Sequence, residues 1–146
     1  MKTIKSIVFG ICVLSFINVN SQNLSQKQIE RQKNKVELFS VQEFSNLHFW
    51  FHNKVQDLKL SNDVEEQYSY IISKYTYKMS RLDDKDSTYS YNEMVQEIHV
   101  LIDKTNTDLK PILTQKQYRE NVKIMNTFKA LVLNKLELKY SQNVNQ

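Results

Sequence analysis

The sequence predicts an all-α protein of four helices, and three observations carry that prediction. Serine or threonine followed three residues later by glutamine or glutamate recurs just ahead of apolar runs. The runs themselves repeat at steps of three and four. Glycine is nearly absent, with Gly10 the single one among 146 residues, which removes the residue that supplies the positive-φ turns of β-hairpins. No stretch reads convincingly as a strand.

The clearest start signal is Leu113-Thr114-Gln115-Lys116-Gln117-Tyr118. The Thr114 hydroxyl can accept from the Gln117 N–H while the Gln117 side chain reaches back to the Thr114 N–H, which is a capping box. Leu113 and Tyr118 stand where a hydrophobic staple sets the entry angle of the chain. Pro111, the single proline, lacks an N–H and pushes Lys110 out of the helical region, so the preceding helix must end there. Leu24-Ser25-Gln26-Lys27-Gln28-Ile29, Phe39-Ser40-Val41-Gln42-Glu43-Phe44 and Tyr89-Ser90-Tyr91-Asn92-Glu93-Met94 follow the same grammar. Leu60-Ser61-Asn62-Asp63-Val64-Glu65 is looser, with Asn62 and Glu65, or Ser61 alone, as the cap.

Between these caps the first segment places Ile29, Val36, Phe44, Leu47, Phe51, Val55 and Leu58 on one face, and Ser40 either interrupts that helix or is carried through. The second carries Val64, Tyr68, Ile71, Tyr75, Met79 and Leu82; the third Tyr91, Met94, Val95, Ile98, Leu101, Ile102 and Leu109; the fourth Tyr118, Val122, Met125, Val132, Leu133, Leu136 and Tyr140. The polar connection Asp83 to Thr88 is short enough to make the second and third helices neighbours.

Residues 1–21 read as a secretory signal peptide. Lys2 and Lys5 form its charged end, Ile7 to Ile17 its apolar run, and Val19-Asn20-Ser21 its cleavage site. An uncleaved anchor is the alternative, against which the run falls well short of the roughly 20 residues a spanning helix needs. Ile11 ahead of Cys12 argues against a lipid anchor. Residues 22–142 form one helical domain and 143–146 a frayed end. The expected location is the periplasm, with secretion as the alternative.

Composition excludes several classes. The exported portion has neither cysteine nor glycine, so it forms no disulfide and builds no phosphate loop, dinucleotide fold or nucleophile elbow. It retains 18 basic and 16 acidic residues, interspersed, with no basic stripe for nucleic acid. No nucleophile–base pair supports an enzyme, and the acidic residues Asp84 and Asp86 lack the glycine and terminal glutamate of a calcium loop.

Two stretches hold more apolar surface than one packed face needs. Ile124, Leu131 and Leu138 recur every seven residues opposite the core stripe of the fourth helix, and Leu38, Phe39, Phe49 and Trp50 lie off the stripe of the first. Either the fourth helix is central and touches neighbours on two sides, or these residues face a dimer partner or client. Tyr70 and Tyr77, beside Lys74 and Arg81, make an aromatic and basic face that fits unfolded chain or is simply solvated. Phe49, Trp50, Tyr70 and Tyr77 are therefore the candidate client-binding residues.

His48 and His52, four apart, share a helical face and can reach one ion; with His99 and Glu65 they form a candidate site for Zn²⁺, Ni²⁺ or Cu²⁺. No glutamate occupies the metalloprotease position between the histidines.

Leu113-Thr114-Gln115-Lys116-Gln117 resembles the LTxxQ motif of the small periplasmic CpxP/Spy-like proteins, and Leu58-Lys59-Leu60-Ser61, followed by Tyr68, Ile72 and Met79, resembles that family's first motif, over roughly Val55 to Met125. Val64 stands where the first motif has glutamine. The resemblance implies long bent antiparallel α-hairpins that pair as cradle-shaped homodimers. It implies an envelope-stress role, either as an ATP-independent chaperone for unfolded or partly folded envelope proteins or as an inhibitor of a sensor kinase. It gives Leu113, Thr114 and Gln117 the role of a structural corner. Periplasmic metal-resistance sensors related to that family use a similar pair of helical histidines, so a metal-responsive sensor or buffer is the second functional expectation.

Overall fold

The computed structural model describes residues 25–144. The expected signal peptide, residues 1–21, lies outside them, as do Asn145 and Gln146. The described chain forms α1 (Gln26–Asn34), α2 (Val41–Gln56), α3 (Asn62–Met79), α4 (Tyr91–Leu109) and α5 (Gln115–Val144), with no strand among the described residues. The all-α class is therefore present with five helices rather than four. The last helix runs to Val144.

The additional helix comes from Ser40. Its backbone is extended, its side chain accepts from the Glu43 N–H at 3.3 Å, and Glu43 Oε2 accepts from the Ser40 N–H at 2.8 Å, so a complete capping box starts α2 and separates it from α1. A box requires a non-helical cap residue, so the same residues that fit the motif cannot be carried through a continuous helix. This corrects the single apolar face expected for the first segment. Ile29 and Phe44 are 39% and 37% exposed, and only Phe51, Val55 and Leu58 of that face are buried.

The other boxes form at Ser25–Gln28, Ser90–Glu93 and Thr114–Gln117. The looser fifth does not: Ser61 caps α3 without a side-chain bond, Asn62 is already helical, and Val64 has no acceptor to reach back. Pro111 ends α4 by a route other than the one expected. Lys110 keeps right-handed helical angles, and its N–H still reaches the Asn106 carbonyl at 3.1 Å. The ladder stops because the proline nitrogen has no hydrogen to donate.

α4 packs against α3 and α5, and α2 packs against α5. Asn121 meets Asn106 near one end of the α4–α5 pair and Tyr91 meets Tyr140 near the other, so these helices run antiparallel. The core is built from Phe51, Val55, Leu58, Tyr68, Ile72, Tyr75, Met94, Ile98, Leu101, Ile102, Leu109, Met125, Val132 and Leu136. In α3 the buried isoleucine is Ile72 and not Ile71. Ile124, expected opposite the core, is also buried because α2 covers that side of α5. Leu131 and Leu138, its heptad companions, are 43% and 50% exposed.

One polar chain runs through this core. The Tyr68 hydroxyl donates to Asn121 Oδ1 at 2.8 Å, and Asn121 Nδ2 donates to Asn106 Oδ1 at 3.1 Å, with Tyr68 and Asn121 fully buried. Burial holds the Tyr68 phenol well above its ordinary pKa, so it stays a donor.

The α3–α4 connection is a second polar centre. Asp83 takes Lys139 and the Tyr140 hydroxyl, joining the connection to the far end of α5. Asp84 accepts from the Val36 N–H at 3.2 Å and pairs with Arg81 at 2.5 Å, while the Lys85 N–H reaches the Asn34 carbonyl at 2.8 Å. The segment between α1 and α2 is thereby fastened to the loop, although α1 itself buries no residue.

The corner at Thr114 couples two helices. Gln117 Oε1 accepts from the Thr114 N–H at 3.0 Å, and its Nε2 donates to the Leu58 carbonyl at 3.1 Å, where α2 has just ended. Gln117→Ala removes both bonds and should lower unfolding free energy by about 1–2 kcal/mol. Tyr68→Phe leaves the buried Asn121 acceptor unpaired and should cost about 1–3 kcal/mol. Urea unfolding of the variants beside the parent checks both.

Candidate functional site

The site is built where α2 leans on α5. The Ser40 box fixes the start of α2 and orients Glu43, whose Oε1 pairs with Lys135 Nζ of α5 at 2.6 Å. Eight residues further on, Phe51 meets Phe128 edge to face, with ring centroids 5.9 Å apart. These contacts hold α2 along one flank of α5.

Beyond the phenylalanine pair the helices leave an open cleft of about 430 Å³ lined by Trp50, Lys54, Asp57, Leu58, Glu120, Lys123, Ile124 and Thr127. Trp50 is half-buried against the core and Ile124 is buried beneath, and with Leu58 they supply the apolar part of the walls. The rim is charged. Lys123 pairs with Glu120 at 2.8 Å on α5, and Lys54 lies 3.9 Å from Asp57, the residue that follows α2.

Phe49, next to Trp50 in the chain, is 68% exposed. Tyr70 and Tyr77 are 72% and 53% exposed on α3, an element that packs on α4. Since α2 and α3 do not pack on each other among the described residues, the four candidate client-binding side chains are divided between two elements. The basic residues expected beside the tyrosines are engaged elsewhere. Lys74 pairs with Asp108 at 3.3 Å and lies over the Tyr75 ring, and Arg81 donates to the Arg31 carbonyl at 2.9 Å besides holding Asp84.

His48 and His52 lie one turn apart on α2, both half-buried, with His48 stacked on Phe44 at 6.5 Å between ring centroids. His99 is exposed on α4, and Glu65, in the first turn of α3, accepts from Gln56 Nε2 at 3.5 Å. Among the described residues no three histidine, cysteine, aspartate or glutamate side chains gather closely enough to hold a metal ion. Nor is any described helix long and apolar enough to cross a membrane.

The corner residues stand together: Leu113 is buried, and Thr114 and Gln117 close the cap. Sequence reasoning missed Asn121 and the cleft rim. Asn121 was marked only by being a polar residue among Tyr118, Val122 and Met125 on the core stripe. The rim residues carried no signal, because paired charges on two separate helices look like any solvated face.

Several carboxylates are tuned by their partners. Lys135 and the Ser40 backbone N–H hold Glu43 down at about 2, from an ordinary 4.5. The Lys123 ammonium lowers Glu120, the Ser90 hydroxyl lowers Glu93 and the Tyr75 hydroxyl lowers Asp108. Burial raises Asp84 despite its bonds to Val36 and Arg81. Burial and Asp83 push the Tyr140 phenol up to about 12.

Compared with family models, with curated proteins and with solved structures, the chain finds no match.

The lowered carboxylates set a pH dependence. A group whose folded pKa is depressed stabilises the fold above its unfolded value and loses that contribution as pH falls through the folded one. For Glu43 this window runs from 4.5 to about 2, and Glu93, Glu120 and Asp108 act in the same direction. Asp84 has the opposite sign, its contribution being lost as pH rises. The urea midpoint should therefore fall between pH 5 and pH 2.5, and less steeply in Glu43→Gln.

Proposed function

We propose that this chain is an exported, ATP-independent chaperone-like or envelope-stress protein that holds exposed apolar segments of unfolded or partly folded envelope proteins. The observation that carries the reading is the amount of large apolar surface left in solvent: Phe49 at 68% and Leu138 at 50% exposed, with Leu131, Tyr70 and Tyr77 also exposed, on the five helices of the described residues. Side chains of this kind bind through area and not through hydrogen-bond pattern, so they tolerate many client sequences. The resemblance of Leu113-Thr114-Gln115-Lys116-Gln117 to the LTxxQ corner supports the same role. With it come the remaining elements of the proposal: residues 1–21 as a cleaved signal, the periplasm as the compartment, long bent antiparallel hairpins, a homodimer, and a sensor kinase as a further partner. No nucleotide, cofactor or nucleic acid is needed.

The second reading is a metal-responsive sensor or buffer, favoured by the one-turn spacing of His48 and His52 on a single helix. Its ion is held by the two imidazoles, with further ligands from a second protein chain or from solvent.

One experiment separates the two. The chain from Gln22 onward should suppress aggregation of a chemically denatured test protein without ATP, and Phe49→Ala or Trp50→Ala should weaken protection by about tenfold, the loss expected when an aromatic anchor is truncated. Zinc or nickel should leave both protection and melting temperature unchanged. No protection, together with a metal-induced rise in melting temperature abolished by His48→Ala, would replace the chaperone reading with the metal one.

A further inference from the structure

The exposed aromatics above are scattered, but the cleft between α2 and α5 is a defined concavity, and its chemistry restricts what can enter. We infer that it receives a pair of adjacent large apolar side chains from a client segment carrying no net charge; this rests on the chaperone reading and names the class of sequence that one part of the surface selects.

The walls come first. Trp50, Leu58 and Ile124 are apolar, and the Thr127 hydroxyl is already spent on the Lys123 carbonyl at 3.1 Å, so the cleft floor asks for no hydrogen bond. A volume of about 430 Å³ lies within the range of ligand clefts, and waters inside it lie against apolar surface. Their release is what favours an apolar occupant.

The rim decides the charge of that occupant. Each side contributes one lysine and one carboxylate three residues apart: Lys54 with Asp57, and Lys123 with Glu120. The four lining charges sum to zero: Lys123 and Glu120 pair at 2.8 Å on α5, and Lys54 lies 3.9 Å from Asp57, the residue that follows α2. An anionic or cationic ligand meets no net attraction and must compete with an existing pair, whereas a neutral segment leaves both pairs intact. The ammonium and carboxylate groups in turn offer donors and acceptors to the carbonyls and N–H groups of a passing backbone. The same balance disfavours phosphate backbones and anionic lipid, which both need an unpaired basic surface.

Trp50 is the single tryptophan of the chain, so its fluorescence reports on this cleft without interference from another tryptophan. The test titrates the chain from Gln22 onward, which contains every described element, with three blocked tetrapeptides: a neutral one of sequence serine-leucine-phenylalanine-serine, and versions with aspartate or lysine in place of both serines. The neutral peptide should give a saturable blue shift of Trp50 emission, and the charged ones should bind at least tenfold more weakly. Thr127→Arg, which sets a guanidinium at the cleft from an exposed position, should abolish the shift without lowering the melting temperature. No saturable change with the neutral peptide, or equal binding of the charged ones, overturns the inference. So does a Trp50 shift that grows with protein concentration and that peptide does not reverse, because the occupant is then a second copy. The aggregation assay is run in parallel: protection without a peptide response overturns the cleft inference and leaves the chaperone reading standing. A response without protection supports the cleft and overturns the chaperone reading.

Discussion

The side chain of Gln117 makes three contacts on which the arrangement of the helices depends. Its carbonyl oxygen accepts from the Thr114 N–H and hydroxyl and completes the cap that starts α5. Its amide nitrogen reaches the Leu58 carbonyl, 59 positions back in the chain. At that carbonyl the chain leaves α2 through Lys59, whose φ of 51° is the one positive value among the described non-glycine residues. A left-handed turn costs a residue with a Cβ roughly 1–2 kcal/mol, and no glycine occurs after Gly10 to avoid that cost. The glutamine amide offsets it by satisfying a carbonyl exposed at the end of a helix. One side chain thus sets where α5 begins and braces the turn that lets α3 begin.

From that corner the position of α2 follows. Leu58 is anchored at one end and Glu43 is tied to Lys135 at the other, so α2 lies along α5 and covers Ile124. Without α2 packed against it, α5 would leave Ile124 exposed together with Leu131 and Leu138. With α2 in place the first of them becomes cleft wall while the other two stay in solvent. The cleft lies beside the point where Phe51 and Phe128 hold the helices together, with Trp50 and the smaller Thr127 in its lining. The surface proposed to hold client chain is therefore a by-product of how a short helix packs on a long one.

The far end of the domain is organised by charge. Asp83 and Asp84, adjacent in an acidic turn, point their contacts in different directions, one to Lys139 and Tyr140 of α5 and the other to Arg81 and the Val36 N–H. The turn that merely connects α3 to α4 in sequence thus gathers α5 and the segment after α1. Tyr140 stays protonated and donates to Asp83 because burial and that carboxylate both raise its pKa, to about 12.

By itself the sequence determined where helices start and which residues of α4 face inward. Capping depends on residues three apart, and the apolar face of a well-buried helix depends on its own periodicity, so Ser25, Ser40, Ser90 and Thr114 mark real helix starts, and Met94, Ile98, Leu101, Ile102 and Leu109 are buried as their spacing requires. The same local logic marked the helix start at Ser61 as looser than the others, since Val64 cannot accept a hydrogen bond. Only the tertiary structure decided which side of α5 is covered, that Lys74 and Arg81 are spent on Asp108 and Asp84, that Asn121 belongs to a buried chain with Tyr68, and that Trp50 lines a cleft beside charges from α5. Apart from the local Arg81–Asp84 pair, these join residues 34 to 77 positions apart through the packing of different elements, and no periodicity within one helix encodes which neighbour will lie against it.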